Sequence, residues 1–267
     1  MNPEIQNEKI KTQWNSLSAL PPELVGSTPL GGGGLIEAPY RHYFETRHLK
    51  RLVHFHGNMN VLELGCGNGR WIAALAPRVR HYTGVDFSRD GLRLSEQVVR
   101  RHRLENVRLV EQSIVEFSGD RPYDLVYFSS VTQYLQDGQI DEVFRRLAPC
   151  LHAQTVLVDR STVSYKERVI HDSDDYYCIY RTPAEIAALF ARHGYSNVYR
   201  QRTYRYMRGG ERLLRGLAGK HLPAVVRGLQ PVSMWALLAL SWTMDWLRPP
   251  HLNGYHEFFV FRRPQIA

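Results

Sequence analysis

Two periodicities of apolar and polar residues interleave through most of this chain. Short apolar runs of strand length fall at 60–64, 81–85, 107–110, 123–128 and 155–158. Helical spacing follows the first run as far as Pro77 and returns over about 140–151. Further on, Thr182-Pro183-Ala184-Glu185 has the form of a capping box, with Thr182 as N-cap, proline at the first helical position and Glu185 at the third. Ile186, Leu189 and Phe190 then mark the core face of that helix, and Gly194 stops it. Segments 197–206 and 257–262 supply two more strands, so the chain from Met59 onward predicts a regular α/β alternation. Before it, 3–20 predicts a short helix around Ile10 and Trp14 ended by Pro21-Pro22. Gly26 to Gly34, with glycine at four successive positions from 31, predicts a loop, because glycine is too costly for the interior of an element. A second helix is predicted over 38–55, with Tyr43, Arg47, Leu49 and Leu52 on helical spacings.

The first strand carries the chemistry. Val61-Leu62-Glu63-Leu64 runs into Gly65-Cys66-Gly67-Asn68-Gly69-Arg70 and then Trp71-Ile72-Ala73-Ala74-Leu75, a strand turning sharply into a helix. Glycine tolerates positive φ and lets backbone N–H groups approach a bound molecule, so this turn predicts a ligand lying against the main chain. The dinucleotide pattern G-x-G-x-x-G is not met, since its third glycine position, counted from Gly65, holds Arg70. Asp86 ends the second strand 21 residues after Gly65, the separation a β-turn-α-β unit requires, and an acid there can accept both hydroxyls of a ribose.

The spacing Glu63-x-Gly65-x-Gly67-x-Gly69, followed by Asp86, resembles motif I and the second strand of class I S-adenosylmethionine (SAM) dependent methyltransferases. The resemblance covers about 60–206 and the last strand. It implies a doubly wound sheet of seven strands, mostly parallel, with the last strand antiparallel. It also implies that SAM is the cofactor, with Glu63 facing the methionine end and Gly65, Cys66, Gly67, Asn68 and Gly69 passing beneath it. Phe87 would sit on the adenine face. Ser113 stands where the family often has an aspartate bonded to the adenine amino group, so Ser113 and the backbone of Ile114 are expected there. The family's fourth motif is similar to Tyr123-Asp124 with its strand and the small residues from Ser129, placing Ser129 beside the methyl group. The helix over 38–55 has two readings: a cap on a glycine hinge that closes Tyr43 and Arg47 over the cofactor, or a packing helix after a surface linker. The segment from Val158-Asp159-Arg160 through Tyr176-Tyr177 to Tyr180-Arg181-Thr182 is loosely similar to methyltransferases of bacterial sugar and envelope-glycan pathways.

At 267 residues with 43% apolar composition, the chain is long enough for one elaborated α/β unit. It divides into a helical cap and hinge (1–58), the SAM-binding core (59–206), an insertion (207–253) and the final strand (254–267). Cys66, Cys150 and Cys178 form no disulfide framework or CxxC pattern, and 1–11 has no apolar signal region; both predict a cytoplasmic protein with reduced thiols. The net charge of +8 is concentrated: between Arg200 and Arg248 nine Lys/Arg face two acids, a balance of +7. The apolar run 231–247 within this segment contains three tryptophans but also Asp245, and is too short for a membrane span. It reads either as a substrate cap or as an interfacial element on the inner face of an anionic membrane. Nucleic acid is not an expected partner, because no RNA-binding module accompanies the basic residues.

Methyl transfer from a sulfonium is an in-line displacement, so the protein must align the acceptor and, for a hydroxyl, remove its proton. A polar loop after the fifth strand offers His171 as the first candidate base, with Tyr134 or Asp172 behind it, and Arg160, Tyr180 and Arg181 as acceptor-binding groups. No metal is expected, since the neighbouring loop aspartates lack matched ligands elsewhere. The function predicted is SAM-dependent methylation, most simply O-methylation of a glycan or other small acceptor, including phosphate- or lipid-linked ones. The alternatives are methylation of a macromolecule (RNA or protein) and a catalytically silent SAM-fold scaffold.

Overall fold

The computed structural model describes residues 8–10, 12, 14, 34–173, 176–204, 243 and 255–264. Its elements in chain order are α1 (Gly34–Leu52), β1 (Asn60–Leu64), α2 (Arg70–Leu75), β2 (His81–Asp86), α3 (Arg89–Arg101), β3 (Val107–Glu111), β4 (Tyr123–Ser129), α4 (Asp137–Leu147), β5 (Leu151–Val163), β6 (Val169–Ser173), β7 (Tyr176–Tyr180), α5 (Pro183–Ala191), β8 (Ser196–Tyr204) and β9 (Tyr255–Arg262). Seven strands form one sheet in the order β3-β2-β1-β4-β5-β9-β8. β1 to β5 are parallel, and β9 runs antiparallel to both β5 and β8. The strand order therefore reverses between β1 and β4. In open α/β sheets ligands bind in the crevice outside the carboxyl ends at such a switch point.

Both faces of the sheet are covered. On one, Phe128, Phe144, Phe190 and Phe261 join residues of α4 and α5, with the Phe190 and Phe261 rings stacked at 4.0 Å. On the other, Leu49 of α1, Trp71 and Ile72 of α2 and Leu92 of α3 pack on Tyr127, Val158 and Phe258. Strands buried on both faces read as continuous apolar runs, which is why β1 and β4 stand out in the sequence. The Thr182 capping box is present, with Thr182 Oγ1 accepting from the Glu185 N–H at 3.2 Å and Glu185 accepting from the Thr182 N–H at 2.7 Å. α4 has a capping box of its own, Gln136 with Gln139.

Several boundaries differ from expectation. Gly34 belongs to α1 and not to the glycine loop; a helix's first residues have no intrahelical N–H bonds to lose, so glycine is tolerated there. β5 extends over 13 residues, because its polar run Asp159-Arg160-Ser161-Thr162 is buried and paired with β9. The expected polar loop carrying His171 is a hairpin: β6 and β7 pair antiparallel from Val169↔Tyr180 to Ser173↔Tyr176. Tyr176, Tyr177, Cys178 and Ile179 are all buried, so β7 packs on both faces. Asp174, Asp175 and almost all of the insertion lie outside the described residues. The strands it joins both reach the carboxyl edge of the parallel sheet, where Tyr204 pairs with His256 and Val163 with Tyr255.

Candidate active site

The turn after β1 is left-handed at each glycine, with φ of 78° at Gly65, 52° at Gly67 and 79° at Gly69. Gly65 is also required by space: a Cβ there would stand 2.1 Å from Val131 Cγ1. Gly65 N–H and Cys66 N–H both donate to the Val85 carbonyl, at 2.8 and 3.1 Å, which fastens the turn to β2. Asp86, at the end of β2, accepts from Gly67 N–H at 2.8 Å and from Ser88 N–H at 2.9 Å. Its carboxyl is pushed above the usual range by burial, and these two N–H groups pull it back. Ser88 caps α3 by accepting from Gly91 N–H at 3.2 Å, and Ser95 Oγ donates to the Gly67 carbonyl at 2.8 Å.

A cavity of about 380 Å³ opens beside this turn, within the range of about 300–1,000 Å³ usual for small-molecule sites. Gly65, Gly67, Asp86, Phe87, Ser113, Ile114 and Ser129 line it, as do Ser88 and Ser130. Ile10, Trp14, Val131, Tyr134 and Leu135 add apolar surface to its wall, and Trp14 meets the Tyr134 ring edge-on at 5.6 Å.

Other sequence candidates lie off this wall. Cys66 is buried against Gly84, and burial pushes its thiol up. Asn68 sits in the turn without facing the cavity, and Gly69 is the N-cap of α2. Tyr43 and Arg47 are exposed on α1. Glu63 is fully buried and accepts from Tyr82 O–H at 2.6 Å. Burial drives its carboxyl up to about 8, against the pull of Tyr82 and Ser129. His171 lies on β6 with its ring 4.9 Å from that of Tyr180, and Asp172 pairs with Lys9 at 3.1 Å. Of the three base candidates, Tyr134 is the one on the cavity wall.

The two arginines predicted to bind an acceptor are corrected to internal roles. Arg181 is 2% exposed. Its guanidinium donates to the carbonyls of Thr132 (2.7 Å) and Leu135 (2.6 Å) and to Asp137 (2.6 and 3.0 Å). Arg160 donates from Nε to Glu45 at 2.8 Å, closes a second bond to the same oxygen through Nη2, and reaches Ser130 Oγ at 2.5 Å. Glu45, on α1 and fully buried, also pairs with Arg70, whose Nε–H donates to His42 Nδ1 at 3.2 Å. His42 is held neutral for that role, its pKa lowered to about 4 chiefly by burial and then by Arg70. Glu45 carried no signal in the sequence, where an acid on an amphipathic helix reads as solvated. Ser130 was hidden as well, with φ of 63° at a non-glycine residue. Among the described residues no cluster of three or more His, Cys, Asp or Glu is arranged to hold a metal.

Residues 61–154 match the family model described as a methyltransferase domain. A stretch of 82 residues is 39% identical to chondramide synthase of Chondromyces crocatus, covering 30% of this chain and 2% of that one. Over 147 residues the chain is 22% identical to (S)-tetrahydroprotoberberine N-methyltransferase of Eschscholzia californica, 53% of this chain and 39% of the relative. The chain thus spans less than half the length of these curated relatives. Among solved structures, a SAM-dependent methyltransferase of Leishmania major superposes with a TM-score of 0.62 at 14% identity, covering 98% of this chain and 85% of that one. Other structures of this fold are complexes with S-adenosylhomocysteine. Residues 61–154 thus match a methyltransferase domain, and the chain has the fold of solved SAM-dependent methyltransferases.

Glu63 gives the cofactor-free protein a measurable pH dependence. Below its ordinary value of 4.5 both folded and unfolded chains hold the proton; between 4.5 and about 8 only the folded one does. Stability therefore falls as pH rises through this window, by about 1.4 kcal/mol per pH unit for one proton. Urea unfolding at pH 5 and pH 8 is expected to show a smaller drop for Glu63→Gln than for the wild type, and equal drops would assign the proton elsewhere.

Proposed function

We propose that this protein transfers the methyl group of SAM to a hydroxyl of a small acceptor, with a glycan hydroxyl as the first class to test. The observation that carries this reading is the cavity itself, whose wall combines the glycine turn and Asp86 with Tyr134, Trp14 and Val131. The turn suits the cofactor on structural grounds: the left-handed glycines keep the backbone bare, and the buried Asp86 carboxylate faces the cavity as an acceptor for hydroxyls. Asp86 would hold the ribose, Phe87 and Ile114 would flank the adenine, and Ser113 would meet its polar edge. When bound, SAM supplies an electrophilic methyl on a cationic sulfur. The chain's own part is to orient the acceptor in line, exclude water and hold the hydroxyl proton. We assign this part to Tyr134, which lines the cavity together with Ser129 and Ser130.

Tyr134→Phe is expected to lower turnover by about 10²-fold, as loss of a proton-handling group does, with SAM affinity unchanged. His171→Ala is the companion variant; if it alone lost activity, the role would return to His171. Labelled SAM incubated with lipid, macromolecular and small-molecule fractions of a cell extract tests the acceptor class, and label appearing only in protein or RNA would overturn the small-acceptor reading.

The segment between β8 and β9 adds a further proposal from its composition. Its seven Lys/Arg against Glu211 and Asp245, a balance of +5, and its apolar run suit an anionic lipid surface, which would place a cytoplasmic enzyme at the inner face of the membrane. The protein is expected to co-sediment with anionic liposomes at low salt and to be released at high salt. Absence of binding at every salt concentration would remove the membrane from the reading. Among the described residues no helix is long and apolar enough to cross a membrane.

A further inference from the structure

The loop that follows β4 is strained, yet it is pinned at nearly every residue. Ser130 has φ of 63°, a conformation costing a non-glycine residue of order 1–3 kcal/mol unless the surroundings enforce it. The surroundings here are the polar run of β5 together with Arg181. Arg160 Nη1 donates to Ser130 Oγ at 2.5 Å. Thr132 Oγ1 donates to Asp159 Oδ1 at 2.7 Å and also meets Ser161 Oγ. Gln133 Oε1 accepts from the Thr162 N–H at 3.0 Å. Arg181 spans the loop, binding the Thr132 carbonyl at 2.7 Å and the Leu135 carbonyl at 2.6 Å. Tyr134 donates its own N–H to Val131 at 2.9 Å and needs no further backbone tie.

These bonds have one geometric result. Asp159, Ser161, Thr162 and Arg181 are all buried and none touches the cavity, whereas Ser130, Val131, Tyr134 and Leu135 line it. Four successive buried polar residues on an inner strand would be costly without bonded partners, and Asp159, Arg160, Ser161 and Thr162 each make at least one bond to the loop after β4. We infer that Asp159, Thr132 and Arg181 are positioning residues, a cradle that fixes the loop and so holds Tyr134 in the wall of the cofactor cavity. The inference rests on the methyltransferase reading given above. It also explains why two residues with the look of acceptor-binding groups, Arg160 and Arg181, are turned inward: they hold the wall against which the acceptor must lie.

Thr132→Val removes the hydroxyl bound by Asp159 and keeps the side chain's shape and the carbonyl bound by Arg181, while Thr132→Ser restores the hydroxyl. Arg181→Lys is a second probe, since an ammonium keeps the charge facing Asp137 but cannot span two carbonyls as a fork does. Methyl transfer from tritiated SAM to the small-molecule fraction of a cell extract is measured for each variant, alongside calorimetric binding of S-adenosylhomocysteine. Thr132→Val and Arg181→Lys are expected to lose transfer by about 10²-fold, the scale of a misplaced reacting group, with S-adenosylhomocysteine affinity kept and Thr132→Ser near wild type. A merely structural role would lower transfer and S-adenosylhomocysteine affinity together, and that result would overturn the inference. Wild-type transfer rates in both variants would also overturn it, while leaving the functional reading intact. Failure of the wild type to transfer label to any fraction would overturn the functional reading, and this inference with it.

Discussion

Glu45→Ala is expected to destabilise the protein by about 3–5 kcal/mol, the usual consequence of removing one partner from a buried ion pair. The Glu45 carboxylate is fully buried and shared between Arg160 and Arg70. Arg160 is itself 4% exposed, and Glu45 is the acid that its Nε and Nη2 both bind. Arg70 would fare better, because its side chain is 24% exposed and its guanidinium also rests on the Trp71 ring at 4.6 Å. The damage should therefore concentrate on the α1–β5 contact. Urea unfolding measures it, and Glu45→Gln should lose less, since the amide keeps an acceptor for Arg160. A double variant, Glu45→Ala with Arg160→Met, should recover part of the loss by removing the buried charge that Glu45 had bound. A cost below about 1 kcal/mol for Glu45→Ala would mean the pair is solvated like an ordinary surface bridge.

That network also marks the limit of what the sequence discloses. Glu45 and Arg160 are separated by 115 positions, and no local pattern pairs them. The features that were legible are local ones. The glycine turn, the acid ending β2 and the capping box of α5 each need only a few neighbouring residues, and each is present at its expected position. The topology was legible for a related reason: strands buried on both faces leave continuous apolar runs. What misled was polarity without context. Asp159 to Thr162 and His171 to Ser173 read as loop because polar residues usually face water, but the first group is buried through bonds to the loop after β4 and the second forms the outer strand of a hairpin. Trp14 and Ile10 were placed on a helix by spacing, while their position at the cavity follows from a long-range fold. Lys9 shows the same, binding Asp172 at 3.1 Å and the Ser173 carbonyl at 3.2 Å across 163 and 164 residues.

Asp86→Ala should weaken SAM binding by about 1.5–3 kcal/mol, the scale of a hydrogen bond to a charged group, or roughly 10- to 150-fold in affinity. Two separate losses contribute. The first is the acceptor for the cofactor's ribose. The second is internal, because the same carboxylate accepts from Gly67 N–H and Ser88 N–H, and so joins the glycine turn to the start of α3. Asp86→Asn separates them. An amide oxygen can satisfy one of those N–H groups and an amide nitrogen neither, so the turn would loosen while a polar group still faced the cavity. If the ribose contact dominates, Asp86→Ala and Asp86→Asn should both weaken calorimetric binding of SAM and of adenosine, which retains the ribose, with little change in thermal stability. If the internal role dominates, both variants should melt earlier, and adenosine should lose less affinity than SAM, whose methionine end would lie along the turn. Unchanged affinity in Asp86→Ala would remove Asp86 from the cofactor site and leave the ribose to another polar group of the wall, such as Ser88 or Glu111.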